Sequence, residues 1–172
     1  MTQDKATKMF SSRMKQFRRG RYLFSTAFFI PYFLFRMETH NAGKTATEFF
    51  AIDATTGSLD LYQFDSLPDD LTGLVEVETT QRSDTVLTET DALVLIQERL
   101  RRQIFLRKGF FKIDDLHIAG TFIKKVHIPY WVGLYEKKQR VEIEILEAVQ
   151  GKFAGGKIHD LVMEWFQASP PA

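Results

Sequence analysis

The chain has 172 residues, 44% hydrophobic and 26% charged, with a formal net charge of +1. These fractions exclude an intrinsically disordered chain and suit one soluble domain or two small, closely packed halves. The absence of cysteine excludes disulfides, a thiolate nucleophile and cysteine metal sites; it suits a reducing, cytoplasmic setting and leaves export open.

The near-neutral total conceals a segregation. Residues 1–21 carry seven Lys/Arg and one Asp, residues 45–98 twelve acids against Arg82, and residues 99–140 eleven basic groups and three acids. Such a chain can neutralise itself, within one molecule or across a dimer, and a near-neutral domain argues against nucleic acid as the main partner.

In chain order, residues 4–19 predict a helix with Phe10, Arg13, Met14 and Phe17 on one face, closed by Gly20 as C-cap. Two extended stretches are expected near 22–30 and 32–38, with Pro31 at the bend. The apolar run 22–35 is shorter than the roughly 20 residues of a spanning helix and contains Pro31, so no transmembrane segment is expected. Residues 39–44 form a turn, residues 46–53 a strand, and Asp53-Ala-Thr-Thr-Gly57 a tight turn with positive φ at the glycine. Residues 65–73 read as a linker and 74–78 as a short strand. Thr88 with Asp91 opens a helix whose stripe is Leu93, Ile96, Leu100 and Ile104, ended by Gly109. Strands near 116–127, 130–136 and 140–147 follow, then a helix near 157–167.

Two stretches repeat one pattern. Ile30-Pro31-Tyr32-Phe33-Leu34 followed by Ile52-Asp53-Ala54-Thr55-Thr56-Gly57 parallels Ile128-Pro129-Tyr130-Trp131-Val132 followed by Leu146-Glu147-Ala148-Val149-Gln150-Gly151. Phe17-Arg18-Arg19-Gly20 and Leu106-Arg107-Lys108-Gly109 close the preceding helices. The expected fold class is therefore α+β: two tandem α-β-β-β units forming antiparallel sheet, with helices packed on one face. Residues 1–64 make the first unit, 65–87 a linker with a short strand, and 88–172 the second unit with its C-terminal helix.

The segment from Thr88-Glu-Thr-Asp-Ala92 to Glu147-Ala-Val-Gln-Gly151 resembles the PepSY domain, and Asp53-Ala54-Thr55-Thr56-Gly57 carries that family's closing motif. The resemblance implies a non-catalytic inhibitory or interaction segment and supplies no catalytic residues.

No constellation points to catalysis. Gly151 to Gly156-Lys157 fits part of a phosphate loop, but Ile158 stands where a magnesium-binding hydroxyl is required. Gly155, Gly156 and Lys157 remain an anion-site candidate at a helix start. The four histidines lack ligand spacing, so no metal and no cofactor are expected. Glu142 and Glu144 read as a solvated strand face with Arg140, Lys137 and Lys138 as partners. Basic residues 13–21 interleaved with Phe17, Tyr22 and Phe24 fit a nucleic-acid contact. An amphipathic helix whose aromatics pack on the sheet explains them more simply.

Strand 22–35 is apolar on both faces, as is the segment around Tyr130 to Tyr135, which requires a second cover: another subunit, the other half or a ligand. The expected function is a non-catalytic binding or assembly module. It would be a homodimer or meet a protein partner through Tyr32, Phe33, Tyr130 and Trp131. The alternative is a small-molecule or hydrolytic cleft between the repeats.

Overall fold

A computed structural model of the chain describes residues 1–67, 74–108 and 115–168. In chain order they form helices α1 (Gln3–Phe10) and α2 (Arg13–Arg19), strands β1 (Arg21–Asn41), β2 (Lys44–Asp53) and β3 (Tyr62–Phe64), then helix α3 (Glu89–Lys108). Strands β4 (His117–Lys137) and β5 (Arg140–Glu147) and helix α4 (Gly156–Ala168) follow. The fold is α+β, with one antiparallel sheet in the order β3-β2-β1-β4-β5. The chain divides into two compact units, each drawn from separated stretches. The first holds Met1–Ile30, Thr80–Ser83 and His127–Ala172; the second holds Pro31–Thr79 and Asp84–Val126. Strands β1 and β4 each run through both.

In the second unit, β1 and β2 pair from Tyr32↔Asp53 to Asn41↔Lys44, and β2 pairs with β3 from Phe49↔Phe64 to Ala51↔Tyr62. Alternation sends Phe33, Phe35 and Met37 to one face, where they share a buried core with Phe50, Ile52, Ala92, Ile96, Leu100 and Ile118. Helix α3 thus docks by its apolar stripe. Its start is the N-cap that Thr88 predicts: the Asp91 amide donates to Thr88 Oγ1 at 3.1 Å, and that hydroxyl donates to Asp91 Oδ2 at 2.7 Å. Tyr32 and Leu34 point to the opposite face and are buried too, Tyr32 edge-on against Tyr62 at 5.4 Å between centroids.

The first unit contains α1, α2, α4 and β5. Strands β4 and β5 pair from Tyr130↔Glu147 to Lys137↔Arg140, joined by Lys138 and Gln139, both at positive φ. Phe10 and Ala6 of α1 pack with Tyr135 and Leu146, flanked by Trp131 and Tyr22. A Cβ on Gly133 would lie 2.8 Å from the Phe10 ring, so only glycine lets α1 approach this closely. Tyr130 and Val132, out of phase with Trp131 and Gly133, are buried as well. Helix α4 lies against β5, and its Trp165 sits 4.9 Å from Phe28 between ring centroids.

Four sequence expectations change. Each proline-containing region is one long strand, not two. Pro31 and Pro129 stand one residue before the terminal ladder pairs, where a missing N–H costs no ladder bond, and their carbonyls accept the Ala54 and Ala148 amides at 2.8 and 3.0 Å. The helix expected over 4–19 breaks at Ser11-Ser12, with Ser12 as the extended N-cap of α2. Residues 74–78 form no strand, and Val75 and Val77 are exposed. Of the doubly apolar strand 22–35, residues 30–35 are buried on both faces while Leu23 and Phe24 are exposed. Gly109 lies outside the described residues.

Both tight turns form. Asp53, fully buried, accepts the amides of Thr56 at 2.8 Å and Gly57 at 2.9 Å on Oδ1 and that of Leu59 at 2.8 Å on Oδ2. Gly57 has φ +65°, and Arg99 of α3 donates to the carbonyls of Gly57 and Leu59. At the other turn Glu147 accepts the Val149 and Gln150 amides, and Gly151 has φ +70°.

Candidate interaction surface

Helix α2 is short, Arg13-Met-Lys-Gln-Phe-Arg-Arg19, and it is held from one side by charge. Lys15 and Arg19 are four residues apart and share a face. Lys15 Nζ lies 2.5 Å from Glu144 Oε1, while Arg19 reaches Glu142 at 3.7 Å and Glu144 at 3.9 Å. Lys15 also sits 3.6 Å from the centre of the Phe153 ring, a cation–π contact. The end of the helix is fixed by Lys137 Nζ, which donates to the Arg18 carbonyl at 2.6 Å, and by Gly20, whose amide donates to the Gln16 carbonyl at 2.9 Å. Just beyond, Arg21 forks onto Glu136 at 2.6 and 3.1 Å.

Glu144 is therefore no solvated strand residue: its side chain is 10% exposed, and its partners are the α2 cations rather than Arg140, Lys137 or Lys138. It reaches the Tyr135 hydroxyl as well, at 3.4 Å, while that hydroxyl donates to the Phe10 carbonyl at 2.9 Å. Burial first, then the Glu144 carboxylate, push the Tyr135 phenol well above its ordinary value. The phenol stays neutral and keeps donating to α1 at any physiological pH.

Because the charged face of α2 points inward, its other residues point out. At 3.6 residues per turn, Phe17 lies roughly opposite the midpoint of Lys15 and Arg19. Arg13, Met14 and Arg18 flank it. Phe17 is 91% exposed and Met14 76%; at the start of β1, Phe24 is 52% and Leu23 39%. The aromatics at 17 and 24 do not pack on the sheet as expected from the sequence, though Tyr22 does, stacked on Phe10 at 6.5 Å and edge-on to Tyr135 at 5.8 Å. Arg13 and Arg18 are exposed and form no ion pair among the described residues. The sequence signal was the Ser11-Ser12 break, which resets the helical phase and separates Phe10 from Met14 and Phe17.

The residues singled out from sequence lie elsewhere. Tyr32 and Phe33 are buried in the second unit; Tyr130 is buried in the first, and Trp131 is half-buried there, its indole donating to the Met1 carbonyl at 3.3 Å. Gly155 and Gly156 are exposed at the start of α4, with open space where a Cβ would stand, and Lys157 is exposed beside them. Among the described residues no group of three or more His, Asp or Glu is placed to hold a metal ion, and no helix is long and apolar enough to cross a membrane. Comparisons with protein-family models, with curated proteins and with solved structures find no match.

Proposed function

We propose that the protein is a non-catalytic binding module and that α2, with the first residues of β1, is its contact surface. One observation carries this reading. A helix in water normally buries its apolar face, whereas α2 is held by Lys15 and Arg19 and leaves Met14 and Phe17 outside. An exposed large apolar group is informative when the structure is arranged to keep it exposed. The chain lacks cysteine, so Met14→Cys accepts a single environment-sensitive fluorophore. Its emission should shift to shorter wavelength when a binding partner covers the ridge. The series to test is the protein's own concentration, an acidic polypeptide, an oligonucleotide and lipid vesicles. A label that stays aqueous against all four removes the reading.

We propose in addition that the two hairpins are copies of one device, as the duplicated motifs suggest. Tyr32 opposes Asp53 and Tyr130 opposes Glu147; each acid caps its turn, and each preceding proline carbonyl accepts the amide that follows the acid. The PepSY-like reading, and an inhibitory or interaction role with it, rests on the same motifs. In a plain tandem each helix would cover its own meander. Here α1 packs with β4 and β5, and α3 packs with β1 and β2, so the proposed copies exchange helices.

A further inference from the structure

We infer that the occupant of the α2 surface is an anionic lipid bilayer, met at its headgroup boundary; this rests on the reading of α2 as the contact surface. Around the outward arc the order is Arg13, Phe17, Met14, Arg18, an apolar pair flanked by two cations. A bilayer interface takes both kinds at once. Apolar groups enter the acyl boundary, and guanidinium groups stay at the phosphates. Shortly after Gly20, Leu23 and Phe24 are exposed on opposite faces of β1, and Lys5 and Lys8 of α1 are exposed cations. Residues 1–24 contain seven Lys/Arg and one acid, Asp4, and the acids that α2 and Arg21 approach, Glu136, Glu142 and Glu144, are already paired. Little negative charge remains there to oppose an anionic surface.

The same residues disfavour other occupants. Phe17, at 91% exposure, stands clear of its neighbours, so covering it needs a medium that closes around it from all sides. A fluid bilayer does so without a preformed pocket, which a protein partner must supply. Single-stranded nucleic acid would use the arginines and could stack on the phenylalanines. It offers nothing apolar to Met14 and Leu23, which have no aromatic face. The binding expected is reversible and salt-sensitive, since one short helix carries few buried groups.

The test is flotation of the full chain with phosphatidylcholine vesicles, with and without roughly 30% phosphatidylserine. Light scattering of the protein alone and anisotropy of a labelled oligothymidine run alongside. Binding to the phosphatidylserine vesicles should weaken by about tenfold or more on phosphatidylcholine alone and fall with added salt. Replacing Arg13 and Arg18 together by Gln should weaken it by about fivefold per charge, with Lys at both positions restoring it. Met14→Ser with Phe17→Ser should weaken it by about tenfold or more while circular dichroism and urea midpoint stay unchanged. Failure to bind the anionic vesicles, or equal binding by the serine variant, overturns the lipid assignment. In that event a Met14 label that responds to a second copy, a polypeptide or the oligonucleotide keeps α2 as the contact surface. A label that responds to none of them removes both readings.

Discussion

Helices α3 and α2 do opposite things with the same kinds of residue. In the second unit, α3 sends Ala92, Ile96 and Leu100 into an aromatic core and uses Arg99 to clamp the Asp53 turn. In the first unit, α2 commits Lys15 and Arg19 to Glu142 and Glu144 and keeps its largest apolar groups outside. Burial of apolar area is the main stabilising term in a helix dock, and ion pairs of this exposure contribute far less. The difference separates a helix that holds its unit together from one displayed by its unit.

The comparison breaks first at the helices. Ile96→Ala should destabilise by about 2–5 kcal/mol in urea titration, because the site is fully buried and the cavity only partly collapses. A loss as small as that of Phe17→Ala would mean α3 is no anchor. The turns sharpen it next. A Cβ on Gly57 would meet Leu95 Cδ1 at 2.5 Å and Leu87 Cδ1 at 3.0 Å, whereas one on Gly151 meets nothing within 4 Å. Both substitutions place a side chain at positive φ, so Gly151→Ala should cost about 1 kcal/mol and Gly57→Ala about 2 kcal/mol or more. Equal losses would refute the claim that α3 closes over the first turn.

Glu144→Gln should cost about 1–2 kcal/mol and speed amide exchange in α2 while leaving α3 protected. The neighbouring phenol adds a pH signature. Tyr135 holds its proton more tightly folded than unfolded, so its contribution is complete below the unfolded value of about 10 and is lost as pH rises above it. Tyr135→Phe should flatten that alkaline decline. The smallest effect belongs to Phe17→Ser, within about 0.5 kcal/mol of wild type, since almost nothing of the chain touches that ring.

Local chemistry was legible in the sequence. The Asp53 and Glu147 turns, the Thr88–Asp91 cap and the apolar stripe of α3 form as their residues dictate, because each depends on neighbours within a few positions. Pro31 and Pro129 misled because a proline is harmless in a strand where it owes no ladder bond, and that is decided by where a distant partner strand stops. The break at Ser11-Ser12 was missed because an apolar periodicity continues across it. Of the proposed contact surface, the basic–aromatic composition was visible, but its orientation was not. That orientation depends on Glu142 and Glu144, more than a hundred residues away, which alternation alone assigned to solvent.

This separation has a consequence for how the chain is made. The Tyr135 hydroxyl reaches the Phe10 carbonyl across 125 residues, and Lys15 reaches Glu144 across 129. On a ribosome adding roughly 5–20 residues per second, α1 and α2 emerge many seconds before the strands that receive them exist. Ala6, Phe10 and the α2 ridge travel uncovered through that interval, while the residues of the second unit up to Val126 have already left the ribosome's active centre. The long-range closures come last and slowly. The most aggregation-exposed moment in the life of this protein is therefore its birth, and the stretch that holds α1 and α2 is the one a chaperone would find waiting.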